Sequence, residues 1–232
     1  MLSTNRSGAT SNSRTRYRVR VARAGEASQL THLAQIESLR RAVLESGLPA
    51  ILDGKRKRAR PRLAFGPAIA MGYESCAEYF DLDLETRVSP EEVEEALGTA
   101  LPTGMTVRSV RRIPRFFPSI DASVNVVRYV LSGSFPEDAA RRREDFLSRD
   151  SIIIEKIKKG GERIEYVDVR PLIVEMTLAA PNRLGLTMRF GPKRTVKPEA
   201  VVEHWLGKIP ENLHVLREEL YSETAGGELI SP

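Results

Sequence analysis

A single cysteine, Cys76, in a chain of 232 residues excludes an intramolecular disulfide and fits a reducing compartment such as the cytosol. It also excludes an iron–sulfur cluster held by this chain's own thiolates, which needs three or four cysteines at close spacing. The three histidines, His32, His204 and His214, are scattered, so no Cys/His zinc spacing is present. Aromatic residues make up only 6%, too few for a sheet of stacking rings of the RRM kind. No apolar run approaches the ~20 residues that cross a bilayer, and the first residues lack the apolar stretch of a secretory signal. P-loop, dinucleotide and nucleophile-elbow patterns are missing as well.

What is present is an ordinary globular balance, 41% hydrophobic and 29% charged, with a net charge of +5 placed unevenly. Residues 53–62 (DGKRKRARPR) hold six cations and one anion. Such a local excess draws polyanions to one surface, so nucleic acid or a phosphorylated ligand is the first candidate partner. Residues 1–24 carry six arginines and no acid. They read as a disordered tail over 1–15 or a transit-type leader, with Arg16, Arg18 and Arg20 already in a first strand.

The alternation in residues 17–24 (YRVRVARA) predicts a half-buried strand. Ser28 then predicts the cap of a helix ending at Gly47-Leu48-Pro49. Short strands follow at 61–65 and 77–84, and Ser89-Pro90-Glu91-Glu92 carries three agreeing helix-start signals. Met105 to Ile113 returns as a strand. The order β-α-β-β-α-β predicts a ferredoxin-like lobe over 16–114. After a joint at 115–123, strands at 124–131, 151–156, 166–178 and 184–190 and helices at 136–147 and 198–206 predict a second such lobe over 124–222. Residues 223–232 read as a tail. The expected class is therefore α+β, two ferredoxin-like (βαββαβ) lobes in tandem, each an antiparallel sheet with helices on one face.

The candidate phosphate contacts are Lys55, Arg56, Lys57, Arg58, Arg60 and Arg62, which would position nucleic acid rather than read its sequence. A solvated basic loop is the alternative. His32, near the start of the first helix, is a weak candidate for general acid–base work on RNA, or else a helix-surface residue. Phe116 and Phe117 stand among Arg111, Arg112 and Arg115, where they either stack on bases or plug the space between lobes. Lys156, Lys158 and Lys159 form a second basic cluster on a turn. Asp168 and Arg170 read as an acid–arginine pair on a strand end, or a structural salt bridge.

The segments Tyr17-Arg18-Val19-Arg20, Leu30-Thr31-His32-Leu33 and Gly47-Leu48-Pro49 resemble the radical-SAM-linked family of uncharacterised bacterial domains. Arg60-Pro61-Arg62-Leu63-Ala64-Phe65-Gly66-Pro67, Leu101-Pro102-Thr103-Gly104-Met105 and Val167-Asp168-Val169-Arg170-Pro171 extend the likeness over roughly 16–207. It implies an accessory role beside a separate radical-SAM protein, which would carry the iron–sulfur cluster and S-adenosylmethionine and often a cobalamin-binding domain. It carries over no catalytic residue, and no cofactor is expected on this chain. A fainter likeness to the repeat-associated RNA endonucleases of CRISPR systems rests on element order and is fold-level analogy. The resulting expectation is a cytoplasmic, non-catalytic protein that presents tRNA or rRNA to that enzyme. The alternatives are a metal-independent endoribonuclease using His32 and a protein-interaction scaffold without RNA contact.

Overall fold

A computed structural model of the protein describes residues 14–54, 59–157, 164–192 and 194–232. It is a mixed α+β structure, with a mostly antiparallel sheet and five α-helices among the described residues. No helix among these residues is long and apolar enough to cross a membrane.

The chain opens with strand β1 (Thr15–Arg23), a 3-10 turn at Gly25–Gln29, and helix α1 (His32–Glu45). Thr31, not Ser28, caps α1 by accepting from the Ala34 amide, while the Ser28 hydroxyl donates back to the Gly25 carbonyl. A small ribbon follows, β2 (Leu52–Asp53) with β3 (Arg60–Pro61), and then β4 (Leu63–Phe65) and β5 (Glu74–Leu84). Helix α2 (Pro90–Ala100) starts with the capping box read from the sequence: Ser89 and Glu92 satisfy each other's amides. Strand β6 (Met105–Ile113) begins after Gly104, whose φ is +82°. A Cβ there would lie 2.5 Å from the Ala24 carbonyl oxygen, so only glycine fits this return.

Helix α3 (Ile120–Ser123) leads to β7 (Val126–Ser132), α4 (Ala139–Leu147) and the hairpin β8 (Ile153–Ile157) with β9 (Ile164–Asp168). Strand β10 (Ile173–Ala180), β11 (Arg183–Arg189), α5 (Pro198–Leu206), β12 (His214–Glu223) and β13 (Leu229–Ile230) complete the chain. The single strand expected over 166–178 is broken by a 3-10 turn at Arg170–Leu172. Asp168 accepts there from the Ile152 and Arg170 amides and the Ser151 hydroxyl, and Pro171 removes a ladder donor. Where a tail was expected over 223–232, β13 pairs back onto Ser222 and Glu223.

The main sheet follows the order β10-β11-β7-β12-β5-β1-β6, with β4 on β5 and β13 on β12. The neighbours β6-β1-β5-β4 and β12-β7-β11-β10 are antiparallel throughout, and both halves place their strands in the same relative order. Instead of two separate sheets the chain builds one. The halves meet where β12 pairs parallel with β5 at Leu216↔Glu74 and Arg217↔Ser75.

Packing explains the alternation in β1. Tyr17, Val19 and Val21 join Phe80, Leu82 and Leu84 of β5 against Leu39 and Val43 of α1 and Val93 and Leu97 of α2. On the other face Arg18 lies against Asp81, both almost wholly buried, with Arg18 Nε at 2.7 Å. Arg16 Nη2 donates to the same carboxylate at 2.6 Å, as does the Ile120 amide at 3.0 Å. The arginines of β1 thus hold residues 117–120 onto the sheet, with Arg16 and Arg18 also donating to the Phe117 and Pro118 carbonyls.

Candidate nucleic-acid interface

Four segments converge at the end of the sheet where β1 starts. Arg16 of β1 faces Ile113 at the end of β6. The Thr15 hydroxyl donates to the Thr86 carbonyl at 3.0 Å, which brings the start of α2 alongside. The Ile51 amide donates to the Asp83 carbonyl and the Arg62 amide to Ile51, so the base of the basic ribbon sits at this end too. Burial raises the carboxyl of Asp83, and Arg16, Arg62 and Arg115 only partly offset that rise. One carboxylate therefore feels arginines from β1, from the ribbon and from the segment after β6.

The surface around it is cationic and carries exposed rings. Arg87, Arg111, Arg112 and Arg115 are exposed, and among the described residues none forms a salt bridge. Arg87 and Arg112 line one hollow with Val88, Ser89 and Pro90. Phe116 is 86% exposed and meets Phe117 edge-on with ring centroids 5.7 Å apart. A plug between two lobes would be buried, so Phe116 is available to a partner from outside. Among the described residues β6 ends the sheet, with one side of its ladder unpaired.

Of the six predicted phosphate contacts, Lys55, Arg56, Lys57 and Arg58 lie outside the described residues, as do Lys158 and Lys159 of the second cluster. Arg60 and Arg62 are exposed but engaged: Arg60 Nη1 meets Glu37 at 3.2 Å, and Arg62 Nε meets Asp53 at 3.1 Å. The hydrogen bond to Asp53 raises Arg62's pKa further. His32 is the first residue of α1, half-buried, with Nδ1 lacking a hydrogen-bond partner among the described residues. It precedes Glu37, the partner of Arg60, by about 7.5 Å along the helix axis. The arginine-rich end of the sheet lies toward the other end of α1, where Ala50 bridges to Leu84. His32 and the Arg112–Phe116 surface are thus separate features. Lys156 Nζ donates to the Thr195 carbonyl, and Arg170 Nε to the Leu147 carbonyl rather than to Asp168.

The sequence reading missed a buried chain of polar side chains at the seam between the halves. Arg23, fully buried, donates to the carbonyls of Tyr73, Ser28 and Ala70, and through Nη1 to Gln35 Oε1 at 2.5 Å. Gln35 Nε2 donates to Glu78 Oε2 at 2.7 Å, and Arg217 Nη2 donates to Glu78 Oε1. Burial pushes the Glu78 carboxyl up, but Arg217 and the hydrogen bonds from Ser75, Gln35 and Arg217 outweigh it and hold the pKa below the usual glutamate value.

A search of curated proteins finds no match. A family model described as an uncharacterized protein conserved in bacteria, DUF2344, matches residues 16–208. That span takes in β1 with its arginines, the basic ribbon, the Arg112–Phe116 surface and every strand of the sheet up to α5, and the chain belongs to the DUF2344 family.

Proposed function

We propose that this protein is an RNA-binding accessory factor whose arginine-rich sheet end docks on a single-stranded or looped segment. The observation that carries the reading is Phe116, almost fully exposed and flanked by Arg111, Arg112 and Arg115, none of them held by a salt bridge among the described residues. Free guanidiniums contact phosphates, and an exposed ring stacks on an unpaired base. Arg60 and Arg62 extend the same cationic surface, and the sequence adds Lys55, Arg56, Lys57 and Arg58 between β2 and β3. In this reading each half is a ferredoxin-like lobe, supported by the strand order that the halves share. The likeness to radical-SAM-linked domains supports a cytoplasmic partner enzyme, with its own iron–sulfur cluster and S-adenosylmethionine, as the recipient of the RNA.

The test is RNA binding across a salt series, comparing the intact protein with Arg112→Gln/Arg115→Gln. A steep fall of log K with log salt that flattens in the double variant supports the proposal. Affinity unchanged in the variant removes this surface from consideration.

A metal-independent endoribonuclease is the second reading, favoured by the unpartnered Nδ1 of His32. It requires RNA cleavage in EDTA that His32→Ala abolishes.

A further inference from the structure

A cavity of 210 Å³ lies between β7, β11 and β12 on one side and Phe190, Thr195 and Val196 on the other, closed in part by Pro67 and Ala68 from the first half. Val127, Met188, Phe190, Val196 and Leu220 make most of its wall apolar. Its polar lining is Arg217, Tyr129, Thr195 and Arg189. Two of these are already committed. Arg189 pairs with Glu223 and donates to the Pro171 carbonyl, and the Thr195 hydroxyl donates to the Gly191 carbonyl at 3.2 Å.

The other two have donors to spare. Arg217 is 3% exposed, its Nη atoms serve Glu78 and the Pro67 and Ala68 carbonyls, and its buried Nε has no partner among the described residues. Tyr129 stands directly opposite Arg217 in the sheet, and its hydroxyl makes no hydrogen bond among the described residues. Burial raises that hydroxyl's pKa, so it stays protonated and donates. A buried donor without an acceptor costs about 1–3 kcal/mol, and Arg217 Nε is such a donor on the wall of an apolar chamber that half-buried Tyr129 also lines. The hydrogen-bonded chain behind them holds two guanidiniums, Arg23 and Arg217, against the carboxylate of Glu78, while the Glu199 carboxylate, which accepts from Tyr73, also acts on Tyr129, so Arg217 supplies the main attraction for an incoming negative charge.

We infer that this cavity is a binding site for a small carboxylate with a compact apolar body. Its carboxylate accepts from Arg217 Nε and the Tyr129 hydroxyl, and its body packs on Val127, Met188 and Leu220. The size is suitable, since an engineered cavity of about 150 Å³ admits benzene. The site is separate from the Arg112–Phe116 surface and stands whether or not that surface binds RNA.

The test uses 4-fluorobenzoate and the neutral 4-fluorotoluene as probes, followed by fluorine NMR on the full chain. Tyr129→Phe keeps the ring and removes only a hydroxyl that makes no hydrogen bond among the described residues. Val196→Phe fills the chamber from its half-buried rim. The expected result is saturable binding of 4-fluorobenzoate, about tenfold weaker in Tyr129→Phe and lost in Val196→Phe, with 4-fluorotoluene weaker throughout. Thermal melts confirm that both variants are folded. No saturable binding of 4-fluorobenzoate, affinity indifferent to both substitutions, or equal binding of the neutral probe overturns the inference.

Discussion

Arg217 donates to Glu78 across 139 residues of sequence, with both side chains buried beside the two-residue parallel pairing of β12 and β5. The backbone seam between the halves is therefore short, and buried side chains reinforce it. Removing one member leaves the other as an uncompensated buried charge, at a cost of about 3–5 kcal/mol. Glu78→Ala is expected to lower the melting temperature sharply. A thermal melt within a degree or two of wild type would show that the pair contributes nothing net.

Acid should act through the same carboxylate. Glu78's folded pKa lies below its unfolded value, so its contribution is fully present above the unfolded value and is lost as pH falls through the folded one. Asp83 has the opposite sign: its raised pKa favours the fold only at acid pH, and that advantage disappears as pH rises through the folded value. Urea melts from neutrality into the acid range should therefore show a loss of stability that is smaller in Glu78→Gln, which has no carboxyl to protonate.

The capping box of α2 gives a local check. Ser89→Ala removes the acceptor for the Glu92 amide and is expected to cost about 1 kcal/mol. Chemical denaturation is the measurement, and a change indistinguishable from zero would mean that solvent caps this exposed helix end equally well.

Gly104 should tolerate no side chain. Gly104→Ala combines a positive φ with a Cβ placed 2.5 Å from the Ala24 carbonyl oxygen and 3.0 Å from the Ala27 Cβ. The expected outcome is a loss larger than the roughly 1 kcal/mol by which left-handed backbone disfavours alanine, read by denaturant titration.

The RNA reading separates its parts. Phe116→Ala should cost about 1–3 kcal/mol of binding to a single strand by loss of stacking, and it should leave the melting temperature unchanged because the ring is exposed. Arg112→Gln should lower the salt slope by about 0.7 per lost phosphate contact. A Phe116→Ala protein that binds as well as wild type would place the base contacts elsewhere.

Local signals were legible and long-range ones were not. Ser89, Pro90 and Glu92 mark the start of α2 within four residues, and YRVRVARA reads as a strand because large apolar residues alternate with arginine. β12 escaped notice because HVLREELYSE is rich in Glu and because its register shifts between Arg217 and Glu219, which spoils the alternation. Its pairing partners lie in β7 and β5, far away in sequence. The break at Arg170–Leu172 was hidden for a related reason, since it depends on Asp168 gathering the amides of Ile152 and Arg170. The clustering of Arg62 with Arg115 around Asp83 required the sheet to exist, although each segment alone already read as basic. Arg23, Gln35, Glu78 and Arg217 share no spacing that any local pattern would flag.

Domains generally fold as units during synthesis, N-terminal first, and the position of Arg217 on β12 gives that order a consequence. When residues 14–113 have left the ribosome, Arg23, Gln35 and Glu78 are all available, but β12 has not yet been made. The nascent first half therefore meets a carboxylate with its guanidinium partner missing and an open β5 edge beside it. Completion of this fold waits for β12 to be made, and a chain truncated before β12 carries an exposed strand edge and an acid without its guanidinium, a natural handle for chaperones and proteases.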